Sequence, residues 1–227
     1  MKVFFLSFIV LLYGCALLKP YMPTPKLSPE QVKERTQKII ENIQSQPEWL
    51  FPADACPAEI MPAVEKKIEY LSEGCANNPE NCLEKCKSED GNACYALALL
   101  IQEQHGVEEK TSEPLFWRSC KLGIVSGCTN RAAIIFNPET PSVSALQCSA
   151  DTFEKTCALG DAWGCTMYGT VLGFGEGREP DKEEALKFLA KGCENSSSPD
   201  NEACKRARQV EAIIKSKKNK GGERIHY

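Results

Sequence analysis

The chain has 227 residues, with 27 Lys and Arg against 31 Asp and Glu and a formal net charge of −4. This mildly acidic balance excludes a nucleic-acid binder driven by a basic surface, and two histidines are too few for a clustered-histidine catalytic metal site. Thirteen cysteines are far above ordinary usage and call for an explanation of their own.

Residues 1–14 open with Lys2 and run on through Val3-Phe4-Phe5-Leu6-Ser7-Phe8-Ile9-Val10-Leu11-Leu12. A charged start before a short apolar centre is the pattern of an export signal, and the run is too short to cross a bilayer as a helix. It leads into Leu12-Tyr13-Gly14-Cys15, which resembles the bacterial lipobox. That resemblance implies that Cys15 is diacylated and becomes the mature N-terminus; an ordinary signal peptide with an incidental Cys15 is the alternative. Residues 15–30 carry Pro20, Pro23, Pro25 and Pro29 and predict an extended tether holding a folded domain off a membrane surface. Several acyl chains on Cys15 would give a stable anchor where one would not.

Residues 31–57 read as an N-terminal helix and cap. Ser28, Pro29 and Gln31 form an N-cap signature, and Val32, Ile39, Ile40 and Ile43 mark an apolar stripe through Gln44. Trp49, Leu50 and Phe51, among Pro47, Pro52 and Pro57, form an apolar knot expected to cap the first repeat. From Ala58 to Glu73 the spacing of Ile60, Val64, Ile68 and Leu71 predicts a helix ending at Gly74. Cys75–Cys86 is expected to be a turn and a short helix. Further helices are predicted over Asn92–Gln104, Ser112–Leu122, Cys128–Phe136, Val143–Leu159, Trp163–Leu172, Asp181–Cys193 and Asn201–Ser216. His105 and Gly106 end one of these, and Asn137-Pro138-Glu139-Thr140-Pro141 breaks the chain between two others. Residues 217–227 read as a basic, disordered tail.

Within the region 58–216 the chain repeats. Cys120-Lys-Leu-Gly-Ile-Val-Ser-Gly-Cys128 recurs as Cys157-Ala-Leu-Gly-Asp-Ala-Trp-Gly-Cys165, Cys86 to Cys94 has the same spacing, and Cys193 to Cys204 is a widened copy. First cysteines fall at 86, 120, 157 and 193 and second ones at 94, 128, 165 and 204, a period of 34 to 39 residues. A period in this range, carried by helices with Gly-containing turns, is that of stacked helical hairpins. Adjacent ends of two antiparallel helices can reach the Cα separation of roughly 5.5–6 Å that a disulfide needs. The expected pairs are therefore 86–94, 120–128, 157–165 and 193–204, with Cys75 and Cys82 a fifth local pair. Cys56 and Cys148 then pair by elimination. Without Cys15 the cysteine count is even, which in an exported chain reads as a disulfide framework. Structural zinc is the competing reading, on the strength of Cys82-Leu-Glu-Lys-Cys86, but no C-x2-C occurs.

Gly164-Cys-Thr-Met-Tyr168-Gly-Thr-Val-Leu-Gly173-Phe-Gly175-Glu-Gly-Arg-Glu-Pro-Asp181-Lys-Glu-Glu-Ala185-Leu-Lys-Phe188 is similar to the Sel1-like repeat, an αα-hairpin related to the tetratricopeptide repeat. The cysteine staples resemble those of the Helicobacter cysteine-rich proteins and of a mitochondrial intermembrane-space protein linked to cytochrome oxidase assembly. The resemblance implies an all-α solenoid of αα-hairpins whose concave face holds a protein or peptide. Tyr95, Leu99, Gln102, Arg131, Ile135, Met167 and Val171, on the first helices of the hairpins, are the expected partner-binding residues.

Some cysteine-rich Sel1-type proteins are penicillin-binding or weak β-lactamases, so a cell-wall enzyme is one alternative. S-x-x-K, S-D-N, K-T-G and G-x-S-x-G are all missing from the sequence, which leaves fold analogy alone behind that reading. A mitochondrial intermembrane-space assembly role is the other. The expectation is a lipid-anchored extracytoplasmic scaffold, monomeric, in the outer membrane rather than the inner, with no catalytic residue, metal or cofactor.

Overall fold

The first helix starts where a reciprocal cap forms: the Ser28 N–H donates to Gln31 Oε1 at 2.9 Å and the Gln31 N–H to Ser28 Oγ at 3.3 Å. The computed structural model describes residues 26–45, 55–62, 66, 68–104, 111–136 and 141–216. Residues 1–25, with the export signal, Cys15 and most of the tether, lie outside these, as do Trp49, Leu50, Phe51, Val64, His105, the break at 137–140 and the tail 217–227. The described elements are α1 (Pro29–Ser45), α2 (Pro57–Ile60), α3 (Ser72–Ala76), α4 (Pro79–Lys87), α5 (Gly91–Gln102), α6 (Glu113–Lys121), α7 (Val125–Phe136), α8 (Val143–Ala158), α9 (Ala162–Phe174), α10 (Lys182–Glu194) and α11 (Glu202–Ser216). Among the described residues there is no strand.

From α3 onward each helix packs on the next in the chain, with further contacts between α7 and α9 and between α9 and α11. This is an all-α solenoid of αα-hairpins. Side-chain caps fix where its helices begin: Asp90, Ser142, Asp161 and Asp181 accept from the N–H groups of Ala93, Ala145, Gly164 and Glu184, respectively. The core runs as two apolar clusters. One joins α1 with α3–α6 around Leu97, Ile101, Leu115 and Phe116; the other joins α7–α11 around Phe153, Val171, Leu189 and Val210.

Six disulfides join all twelve described cysteines: 75–82, 86–94, 120–128, 157–165, 193–204 and 56–148, with Cα separations of 4.3–5.7 Å. The repeated motif shapes the turns of two of them, 120–128 and 157–165. Gly123 and Gly160 hold φ of 105° and 95°, which turns the chain within a residue or two. A Cβ on Gly127 would lie 1.9 Å from Ser119 Oγ and 3.0 Å from Cys120 N; on Gly164 it would lie 2.1 Å from Thr156 Oγ1 and 2.9 Å from Cys157 N. The second glycine of each copy thus sits against the end of the preceding helix where a Cβ has no room, although the unit 86–94, with Ala93 in that place, also closes to a Cα separation of 4.6 Å. In the unit 86–94, Glu89 occupies the place of the first glycine and holds φ 68°, the one positive value outside glycine among the described residues.

The expected helix over 58–73 does not form. α2 stops at Ile60, and Met61 turns to φ −59°, ψ 134° because Pro62 follows it; proline disfavours helical backbone before it and brings no N–H to continue one. Residues 66 and 68–71 run without helix, and Gly74, expected as a C-cap, lies inside α3. Leu71 is 46% exposed, so its place in the apolar spacing carries no core contact. α7 also begins three residues before the predicted start at Cys128, directly after the Gly123 turn.

Candidate functional site

Two proline-bounded pieces of the N-terminal region are laid along the solenoid. The first is α2, which packs on α6, α7 and α8. The Cys56–Cys148 disulfide ties its start to α8, and Lys155 Nζ donates to the Ala58 carbonyl at 2.9 Å, satisfying an acceptor that so short a helix cannot use itself. The second piece is extended. The Lys66 N–H donates to the Gly123 carbonyl at 2.9 Å, the Glu69 N–H donates to Asn92 Oδ1 at 2.5 Å, and Asn92 Nδ2 donates to the Tyr70 carbonyl at 2.8 Å. Asn92 is buried and serves both a donor and an acceptor of this backbone, leaving its side chains unread.

Between α2, α7 and α8 opens a groove of about 980 Å³. Its walls include Glu59, Arg131, Ile135, Ser144, Asp151 and Lys155, with the Cys56–Cys148 disulfide beside them. Arg131 is 4% exposed, donates to Glu113 Oε1 at 2.9 Å and lies 5.8 Å above the Trp117 ring. Burial lowers its pKa, and the Glu113 charge opposes that. On the far wall Arg178 reaches from the turn after α9 to Asp151 and Glu154. Burial would lower the Arg178 pKa, but hydrogen bonds to Asp151, Tyr168 and Glu154 outweigh it and hold the guanidinium firmly charged.

The seven expected partner-binding residues do not share one surface. Arg131 and Ile135 line the groove. Gln102 is exposed elsewhere and Leu99 is partly buried against the first cluster. Tyr95, Met167 and Val171 are 7%, 5% and 0% exposed and belong to the core. These three sit on the middle turns of α5 and α9, helices with neighbours on both sides and apolar residues around most of their circumference, so their side chains are enclosed. Asn92, Lys155 and the residues of α2 were not foreseen. Each acts across a separation of at least 22 residues, to which no local spacing points.

All twelve described cysteines being bonded, no thiolate stands ready as a nucleophile or ligand. Among the described residues no three His, Cys, Asp or Glu side chains are grouped so as to hold a metal ion. Comparison with family models, with curated proteins and with solved structures found no match.

Proposed function

We propose that this chain is an extracytoplasmic scaffold of the Sel1-like kind that binds an extended segment of a partner protein, and that a lipid on Cys15 holds it to the outer membrane. The observation that carries the reading is the groove of about 980 Å³ between α2, α7 and α8, which has charge of both signs on its walls. Grooves of this volume accept a ligand's side chains while a few polar groups fix its orientation. Solenoids present such surfaces because each unit contacts only its neighbours.

Six disulfides support an oxidising compartment, since cytosolic thiols are kept reduced. No helix of the described residues is long and apolar enough to cross a membrane, so anchoring falls to the N-terminal lipid in this reading.

A photo-cross-linking amino acid placed at Ser144, on the groove wall, tests the proposal in intact cells. A protein adduct at Ser144 that is missing from a control placed at the exposed Lys191 on α10 is the expected result. Equal labelling at both positions, or none at either, refutes it.

A further inference from the structure

Residues 55–62, 66 and 68–71 run from α8 back towards α5, against the direction in which the units are stacked. They are held at three places, by different means. At one end the Cys56–Cys148 disulfide and Lys155 fix α2 to α8. In the middle the Gly123 carbonyl takes the Lys66 N–H, and at the other end Asn92 takes both the Glu69 N–H and the Tyr70 carbonyl. The two inner contacts recognise main chain alone, so another extended peptide could make them equally well.

The Cys56–Cys148 bond differs from the other five. Those close hinges between neighbouring helices over separations of 7 to 11, and in each at least one cysteine is buried. Cys56 and Cys148 are 92 residues apart, both are partly exposed, and both line the groove. A thiol in solution therefore reaches this bond more readily, and breaking it opens no hinge.

We infer that residues 55–62, 66 and 68–71 form a tethered internal ligand, and that thiol–disulfide exchange at Cys56–Cys148 frees the face they cover for an extended partner peptide. The co-reactant is a protein dithiol. Its thiolate bonds to one sulfur of the pair and the Cys56–Cys148 bond breaks, leaving its electron pair on the other sulfur as a thiolate. The second thiolate of the co-reactant then attacks the co-reactant's own sulfur in the mixed disulfide, and the remaining cysteine of the pair leaves as a thiolate; the two thiolates take up the two protons that the dithiol gave up. Cys56 and Cys148 end as thiols and the co-reactant as a disulfide. While the bond stands, the covalent tie to α8 keeps the effective concentration of the segment high and excludes competitors; afterwards only the contacts of Lys155, Gly123 and Asn92 hold it against the units, and a competing peptide can displace it. This rests on the peptide-binding reading above.

Three measurements on the full chain test it. Limiting dithiothreitol followed by alkylation and mass mapping should label Cys56 and Cys148 before the other ten cysteines. Amide exchange at residues 66 and 69 should then quicken at least tenfold, while α5–α11 keep their protection. A labelled peptide of residues 55–71, with serine in place of Cys56, should bind the opened protein at least tenfold more tightly than the closed one. Asn92→Ala, with every disulfide intact, should quicken exchange at 69 and supplies the same readout should the Cys56→Ser/Cys148→Ser protein fail to fold. If the hinge disulfides reduce first, or exchange stays slow once Cys56–Cys148 is open, the clasp is overturned. If the segment opens and the peptide still does not bind, the uncovered face takes no peptide and the inference is overturned, whereas the reading of the groove itself stands or falls on the Ser144 adduct.

Discussion

Replacing Gly164 by alanine isolates the close approach that the repeated motif exists to permit. The added Cβ would meet Thr156 Oγ1 at 2.1 Å, Thr156 Cβ at 2.9 Å and the backbone N of Cys157 at 2.9 Å. A hydroxyl can rotate away, but the Cys157 backbone is pinned by its disulfide to Cys165, the neighbour of the substituted residue, with a Cα separation of 4.3 Å. Overpacking of this kind costs about 1–3 kcal/mol, and the opposing helix-propensity gain of Ala over Gly is at most about 1 kcal/mol. A net loss of about 2 kcal/mol lowers Tm by about 4–8 °C in a chain of this size. Gly173→Ala is the internal control, because its nearest contact, at 2.4 Å, is the end of the Ile214 side chain, which can change rotamer. Urea unfolding followed by far-ultraviolet circular dichroism, disulfides intact, should place Gly164→Ala well below Gly173→Ala. If Gly164→Ala is as stable as the parent, or Gly173→Ala is the worse of the two, the glycine before the second cysteine is not there for closeness.

Glu89→Gly should raise stability by about 0.5–1 kcal/mol, because the exposed Glu89 holds a left-handed backbone that costs an L residue about 1–2 kcal/mol; an unchanged or lower Tm contradicts this. Burial pushes the Asp161 carboxyl up, against hydrogen bonds from Ser126, Gly164, Thr129 and Trp163. Folded protein thus holds that proton more tightly than unfolded chain. The stability it contributes is full below the ordinary aspartate range near pH 4 and is lost as pH rises towards the raised folded value. Unfolding free energies of the parent relative to Asp161→Asn should therefore decline over that window, and a rise would reverse the sign. Loss of the 120–128 disulfide, which closes a loop of about nine residues, should cost about 2.5 kcal/mol; loss of 56–148, which closes a far longer one, about 4.5 kcal/mol. Denaturation of the two double-serine variants ranks them. Cys15→Ser should abolish incorporation of radiolabelled fatty acid in cells, and incorporation that persists would place the anchor elsewhere.

What could be read from the sequence was what is local in it. Cysteines 8 residues apart around a Gly-containing turn announce a hinge, and the helices α5 to α11 follow from caps and apolar spacing within one unit. Residues 58–73 misled because Ile60, Ile68 and Leu71 keep helical spacing while Pro62 breaks the helix beneath them, and the backbone's partner, Asn92, lies 22 or more residues on. The groove was illegible for the same reason: its walls come from residues 55–59 and from residues 131–158, and nothing in either stretch names the other. For Tyr95, Met167 and Val171, apolar and aromatic character on a first helix fitted a binding face and a core equally well. The packing of helices on both sides decided for the core.

The 92-residue span of the Cys56–Cys148 bond has a consequence for how the molecule is made. If the chain emerges from its N-terminus and the sulfur of Cys15 carries lipid, Cys56 is the first free thiol to come out and has to pass over six later sulfurs before its own mate arrives. An oxidase that joined thiols strictly in order of appearance would link Cys56 to Cys75, Cys82 to Cys86, Cys94 to Cys120 and Cys128 to Cys148, all of them wrong. Maturation therefore calls for a catalyst that reshuffles sulfur bonds as well as one that forms them, and a strain lacking the former should accumulate the protein mispaired around Cys56.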